Sequence, residues 1–267
     1  IDDMTGEQTK LRPWIAGNTD TSLLKIIALV SMIIDHVGVA FFPGVMEFRI
    51  FGRIALPLYA WCLVVGIEYT HSALKYALRL FVLGVISQPF YIMALGASWS
   101  ELNILFLLCL GVLAITGIRE KRWYSQYWAP AFCVLVLLLL DIDYGWKGLL
   151  FILLLYASRH SRGSLAAAFL ASAAFWGMTS FTVTSVFGMQ LTFLNGNIFS
   201  PLLQLFFQLQ AMIWMALPLI LIPTRCGIRM PKWLGYGLYP LHLAALMIAG
   251  LILGVPFSHF IALLVKF

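Results

Sequence analysis

Long apolar runs, each broken by a short polar or glycine- and proline-containing stretch, recur along this chain from residue 23 almost to its end. A helix needs about 20 apolar residues to cross the hydrocarbon core of a bilayer, and the run from Leu23 to Phe42 has that length. Runs of this kind predict helices over about 23–42, 50–69, 76–95, 102–118, 127–141, 147–158, 164–182, 198–222 and 233–254. The expected fold is all-α: a polytopic transmembrane helix bundle of about nine spans, within a range of about eight to ten. Two of these runs are short, and residues 181–196 fit an extracytoplasmic loop, a re-entrant piece or part of a longer helix. The polar residues 1–22 read as a cytoplasmic tail with Trp14 at the interface, residues 23–255 as one membrane domain, and 256–267 as a short C-terminal segment. Thr21 with Ser22 is the expected cap of the first helix.

Composition changes this picture only by removing soluble alternatives. Of 267 residues, 62% are hydrophobic and 10% charged, against roughly 25% charged in a soluble domain. Charge then supplies an orientation. Lys10, Arg12 and Lys25 precede the first run, Lys75 and Arg79 follow the second, and Arg119, Lys121 and Arg122 follow the fourth. Arg159 and Arg162, then Arg225, Arg229 and Lys232, continue the alternation. The positive-inside rule puts these loops and the N-terminus in the cytoplasm. The net charge of +6 is the signature of that topology, so no nucleic-acid partner is expected; membrane lipids are the surrounding medium. Cys62, Cys109, Cys133 and Cys226 share no metal-ligand or redox spacing and read as small core residues, and no metal site is expected.

Ionisable side chains inside the apolar runs need a reason to be there. The first run contains Asp35 and His36, and at about 1.5 Å per residue Asp35 lies about 20 Å into the membrane. Its nearest candidate partners are Arg49 and Arg53, spaced i, i+4 on one face at the outer start of the second run. Gly52 permits close approach there, and Pro57 frees a backbone carbonyl. In the last run Tyr239 and His242 share a face, and His242, about 14 Å from the opposite end, approaches the depth of His36. Asp35 and Arg53 also fit a purely structural ion pair, and His242 a hydrogen-bonded core imidazole. Gln88, Glu101, Asn103 and Tyr144 are further candidates for the same cavity, whereas Asp141 and Asp143 fit a solvated turn.

No P-loop, dinucleotide fingerprint, HExxH or nucleophile elbow occurs. Imidazole beside carboxylate and arginine suits general-base transfer of an activated group, and equally a proton relay in a transporter. The ordered set LLKIIALVSMIIDHVGVAFFP, FRIFGRIALPLYAW, LNILFLL, DYGWKGLL and LYPLHLAAL, spanning residues 23 to 253, resembles the TraX family of conjugation proteins, including its TrbP branch. The resemblance implies acetylation of the amino terminus of a conjugative pilin in the bacterial inner membrane, with acetyl-CoA as donor. Asp35, His36 and His242 are then the expected catalytic residues. Arg49, Arg53, Asn103, Tyr144 and Tyr239 are expected to bind the acceptor, and Arg225 and Arg229 the donor nucleotide, which is expected at the inner face near Lys75, Arg79 and the 225–232 loop. Acylation of an envelope glycan or lipid, transport, and a non-catalytic role in pilus assembly are the alternatives.

Overall fold

The computed structural model describes residues 14–196 and 198–254. Residues 1–13, with Lys10 and Arg12, and the expected C-terminal segment 256–267 lie outside the described residues. The described chain is all-α apart from four two-residue strands. In order come α1 (Thr21–Phe41), α2 (Met46–Gly52), α3 (Ala55–Tyr69), α4 (Ala73–Leu95), α5 (Ile104–Glu120) and α6 (Ser125–Leu139). Then follow α7 (Gly145–Ser158), α8 (Arg162–Gly177), α9 (Ser200–Phe206), α10 (Leu217–Leu221) and α11 (Lys232–Ile252). Among the described residues, four segments are long and apolar enough to cross a membrane: Thr21–Phe41, Met46–Tyr69, Ala73–Leu95 and Gly235–Ile252. The other expected spans are shorter helices, and the run at 198–222 is broken into α9, a 3-10 stretch at Gln210–Ala216 and α10.

Burial divides the long segments into one centre and three walls. The Met46–Tyr69 segment is 78% buried, against 33% for α1, 28% for α4 and 17% for Gly235–Ile252. Helix α3 is apolar all round, as a helix surrounded by protein must be, and Leu56, Leu58, Trp61, Val64 and Ile67 are fully enclosed. Around it, α1 packs on α2, α3 and α11, α4 packs on α5 and α11, and α8 packs on α7 and the 3-10 stretch. The remaining helices turn apolar side chains such as Leu74, Val85, Leu138 and Ile252 outward, as lipid requires.

Two local features shape the site. Pro57 has no N–H to give the Arg53 carbonyl, and the chain turns at Arg53 and Ile54 between α2 and α3, where Arg53 N–H bonds Ile50 O at 3.2 Å. Gly52, the last residue of α2, lies directly against the Asp35 side chain, so that any Cβ there would collide with the carboxylate. Gly52→Ala should therefore lower the thermal midpoint in detergent by the equivalent of about 1–3 kcal/mol. Gly250→Ala, where α11 offers open space, should be neutral or slightly stabilising because alanine favours helix. Equal midpoints for the two variants would refute the close approach.

At the end of the bundle that carries Lys25, Arg79, Arg119 and Arg159, here the basic end, residues before α1 are built into the packing. Asn18 is buried, donating to Leu219 O at 3.0 Å and Thr224 Oγ1 at 2.9 Å, while Trp61 Nε1 donates to Asn18 O at 2.7 Å. Asp20, rather than Thr21 or Ser22, caps α1 by accepting from Leu23 N–H at 3.3 Å. Ser22 instead accepts from Met230 N–H at 3.4 Å, so the expected cap is displaced one residue upstream. At the opposite end, residues 181–196 form the β3 (Ser185–Val186) and β4 (Met189–Gln190) hairpin and a 3-10 turn, with no span among them.

Candidate functional site

Asp35 and both arginines meet. Arg53 Nη2 lies 3.1 and 3.4 Å from the two Asp35 oxygens, and Arg49 Nη1 lies 3.4 Å from Asp35 Oδ2. The other two nitrogens of the Arg53 guanidinium are also bonded: Nε donates to Arg49 O at 3.2 Å and Nη1 to Gln210 Oε1 at 3.0 Å. With all three nitrogens engaged and only 3% of the residue exposed, Arg53 fixes Asp35 and presents almost no surface to a ligand. Arg49, at 34% side-chain exposure, is the cation with room for one.

The histidines also meet, across α1 and α11. His36 Nδ1 stands 2.9 Å from His242 Nε2, and His242 Nδ1 bonds Leu238 O at 3.0 Å. The ring centroids are 5.1 Å apart with planes only 18° from parallel, so the imidazoles touch edge to edge in nearly one plane. His242 is buried and His36 only partly so. The Tyr239 ring stands edge-on to His242, 5.4 Å between centroids, and Tyr239 is also buried.

The far end of the bundle adds a polar girdle. The strand β1 (Glu101–Leu102) pairs in parallel with β2 (Asp141–Ile142), tying the starts of α5 and α7 together. Asn103 is buried and caps α5, accepting from Leu105 N–H at 3.0 Å and donating to Gly84 O and Gln88 Oε1 at 2.9 and 2.8 Å. Tyr91 donates to Glu101 Oε1 at 3.1 Å. Asn103 is thus committed to structure, not to a ligand. Tyr144 adopts a left-handed conformation, φ 65°, immediately before Gly145 at φ 53°. Such a backbone is strained for tyrosine, and the half-buried Asp143 before it stands within electrostatic reach of Arg53, Glu101 and Asp35.

Asp143 is therefore the residue that sequence reasoning missed, because its turn reads as solvated while its geometry is not. Burial pushes its carboxyl up to about 7; Glu101 and Asp35 push the same way and Arg53 opposes them. The ionised form is disfavoured in the fold, so the penalty is absent below the ordinary value of 3.8, grows as pH rises and is complete above about 7. Asp143→Asn should raise the thermal midpoint most at about pH 8 and leave it unchanged at about pH 4. An unchanged midpoint at the higher pH would place Asp143 in solvent.

A cavity of about 310 Å³ opens at the basic end between α1, α3, α4, α5 and α11. Lys25 and Arg79 line its basic end, with Met230 and Pro231 beside them, and Tyr59, Cys62, Tyr76, Tyr236 and Tyr239 its walls; Ile104 and Leu105, at the start of α5, line it towards the far end. Tyr239 is thus shared between this cavity and the histidine pair. Arg225 and Arg229 are exposed on the loop next to the mouth, outside the cavity wall. Cys62, Cys109 and Cys133 are buried and unpaired, and no group of three metal-ligating side chains occurs among the described residues.

The family model described as TraX protein matches residues 20–250. The chain belongs to the TraX family. All ten residues singled out above, from Asp35 to His242, fall inside the matched region. Protein TraX of Escherichia coli is 29% identical over 199 residues, which cover 70% of this chain and 77% of that protein. A probable fimbrial assembly protein FimC of Dichelobacter nodosus is 34% identical over 113 residues, 37% of this chain and 46% of its own. An uncharacterized protein of Rickettsia prowazekii is 31% identical over 150 residues, 54% of this chain and 57% of its own. The alignment with these last two thus spans about half of each relative's length. No solved structure matches the chain. Family and apolar helices together make this a membrane protein of the TraX family.

Proposed function

We propose that this protein is a multi-pass acetyltransferase of the bacterial inner membrane, moving an acetyl group from acetyl-CoA to the amino terminus of a pilin subunit. The observation that carries the reading is the cavity lined at the basic end by Lys25 and Arg79 and along its wall by Tyr239, which touches His242 of the histidine pair. Acetyl-CoA is a dianionic pyrophosphate on a long, narrow thioester arm. Two cations at a mouth and an aromatic shaft behind them suit that shape. The alternation of basic loops assigns the basic end to the cytoplasm, where acetyl-CoA is made. The name of the Dichelobacter relative, a probable fimbrial assembly protein, supports a pilus-linked role.

In this reading the thioester carbonyl rests near Tyr239, and the acceptor amine arrives from the far end, past Arg49 and Asp143. The amine nitrogen attacks the carbonyl carbon, the carbon–sulfur bond breaks, and the amine proton passes through an imidazole to the departing sulfur. Arg49, partly exposed beside Asp35, is the cation assigned to the charge that develops on the carbonyl oxygen. Arg225 and Arg229 attract the donor from the neighbouring loop without touching it.

The reading is tested on the pilin itself. Intact-mass analysis of the cognate pilin should show one added acetyl group when this protein is present and none when its gene is deleted. An unchanged mass accompanied by loss of pili would instead favour an assembly role. Separately, replacing both Lys25 and Arg79 with Gln should raise KM for acetyl-CoA about tenfold or more with little change in kcat, as loss of charged hydrogen bonds to an unreacting part does. A parental KM would move the nucleotide elsewhere.

A further inference from the structure

The hydrogen-bond chain through the two histidines fixes where their protons are. A carbonyl oxygen can only accept, so the 3.0 Å contact with Leu238 O requires a hydrogen on His242 Nδ1. A neutral imidazole carries one hydrogen, which leaves His242 Nε2 as an acceptor. The 2.9 Å contact with His36 Nδ1 must then be donated by His36. By the same count, the lone pair of His36 is on Nε2. A second proton on either ring would make a cation whose neighbouring carboxylate, Asp35, is already engaged at both oxygens by Arg49 and Arg53.

We infer that His36 Nε2 is the free basic nitrogen of this site, and that His242 is a positioning residue which holds His36 in the Nδ1–H tautomer through a chain ending on Leu238 O. As a role in acyl transfer, this rests on the function proposed above; as an order of protons, it does not. During transfer, His36 Nε2 takes the proton from the attacking amine as the nitrogen–carbon bond forms. It then returns that proton to the sulfur as the carbon–sulfur bond breaks. Throughout, His36 Nδ1–H stays donated to His242, a bond that strengthens while the ring is positively charged. Tyr239, which lines the cavity and stands edge-on to His242, brings the cavity wall next to this proton chain.

The proton order is read directly from nitrogen NMR of the full chain, labelled with ¹⁵N-histidine and held in lipid nanodiscs. The resonances of His36 and His242 are assigned from the spectra of His36→Gln and His242→Leu. Both rings should carry hydrogen on Nδ1 at neutral pH. Hydrogen on Nε2 of His36 would overturn the inference, whatever the protein catalyses. Kinetics add a second arm. His242→Gln places an amide oxygen where Nε2 accepts and should restore most of what His242→Leu loses, a fall of about a hundredfold in kcat at unchanged donor KM. His242→Gln as inactive as His36→Gln would make His242 the base and overturn the assignment. The expected tautomers in a protein that transfers no acetyl group would remove the proposed function and leave the proton order standing.

Discussion

Arg53→Ala should largely abolish recovery of folded protein from the membrane. The substitution leaves Gln210 Oε1 without its donor and leaves Asp35 with only the longer contact to Arg49. Breaking a buried ion pair from one side costs about 3–5 kcal/mol, which is comparable to the whole stability of many domains. Arg53→Lys should be intermediate: one ammonium can answer Asp35 but cannot also reach the Arg49 carbonyl and Gln210. Exchanging the two residues should not rescue the fold, because the Asp35 side chain lies flat against Gly52 and an arginine does not fit there. Size-exclusion profiles and thermal midpoints in mild detergent measure all three. Parental behaviour of Arg53→Ala would show that the network is ornamental.

The second large effect belongs to His36. With the parental fold intact, His36→Gln should lower acetyl transfer by about a hundredfold or more, since general-base contributions commonly reach that size. Glutamine keeps a hydrogen bond to His242 but cannot take a proton, so the loss should be in kcat, with donor KM nearly unchanged. Parental turnover by this variant would remove histidine catalysis and leave Asp143 as the remaining candidate base, its carboxyl poised at about 7.

Which of these groups the chain's own pattern reveals has a physical logic. Depth along a regular helix is a count, so Asp35 could be matched to Arg53 and His36 to His242 from opposite ends of their runs, and both pairs are in contact. Gly52 was legible for the same reason. What a count does not report is departure from regular geometry. Pro57 turns the chain at Arg53, and that turn lets the guanidinium reach the Arg49 carbonyl. Gln210 lies 157 residues from Arg53, in a stretch that reads as one smooth span but is wound as 3-10 helix, so its role was invisible. Asp143 was hidden by its neighbours, since Asp-Ile-Asp-Tyr-Gly is also the composition of an ordinary exposed turn. The only hint was Tyr144 before Gly145, a pair that the structure holds left-handed. Loop charge alone pointed to Lys75, Arg79 and the 225–232 loop for the donor; of these cations Arg79 lines the cavity, beside Lys25, whose helix converges on it only in three dimensions.

The central claim, acetyl transfer by this membrane protein through His36, is tested most directly with purified protein in liposomes. Acetyl-CoA is supplied on the side of the basic end and a peptide bearing the mature pilin amino terminus on the other. Mass spectrometry should find the peptide acetylated on its terminal amine at a rate that falls about a hundredfold for His36→Gln. Unmodified peptide with the parental protein, or equal acetylation by the parental and His36→Gln proteins, would contradict it.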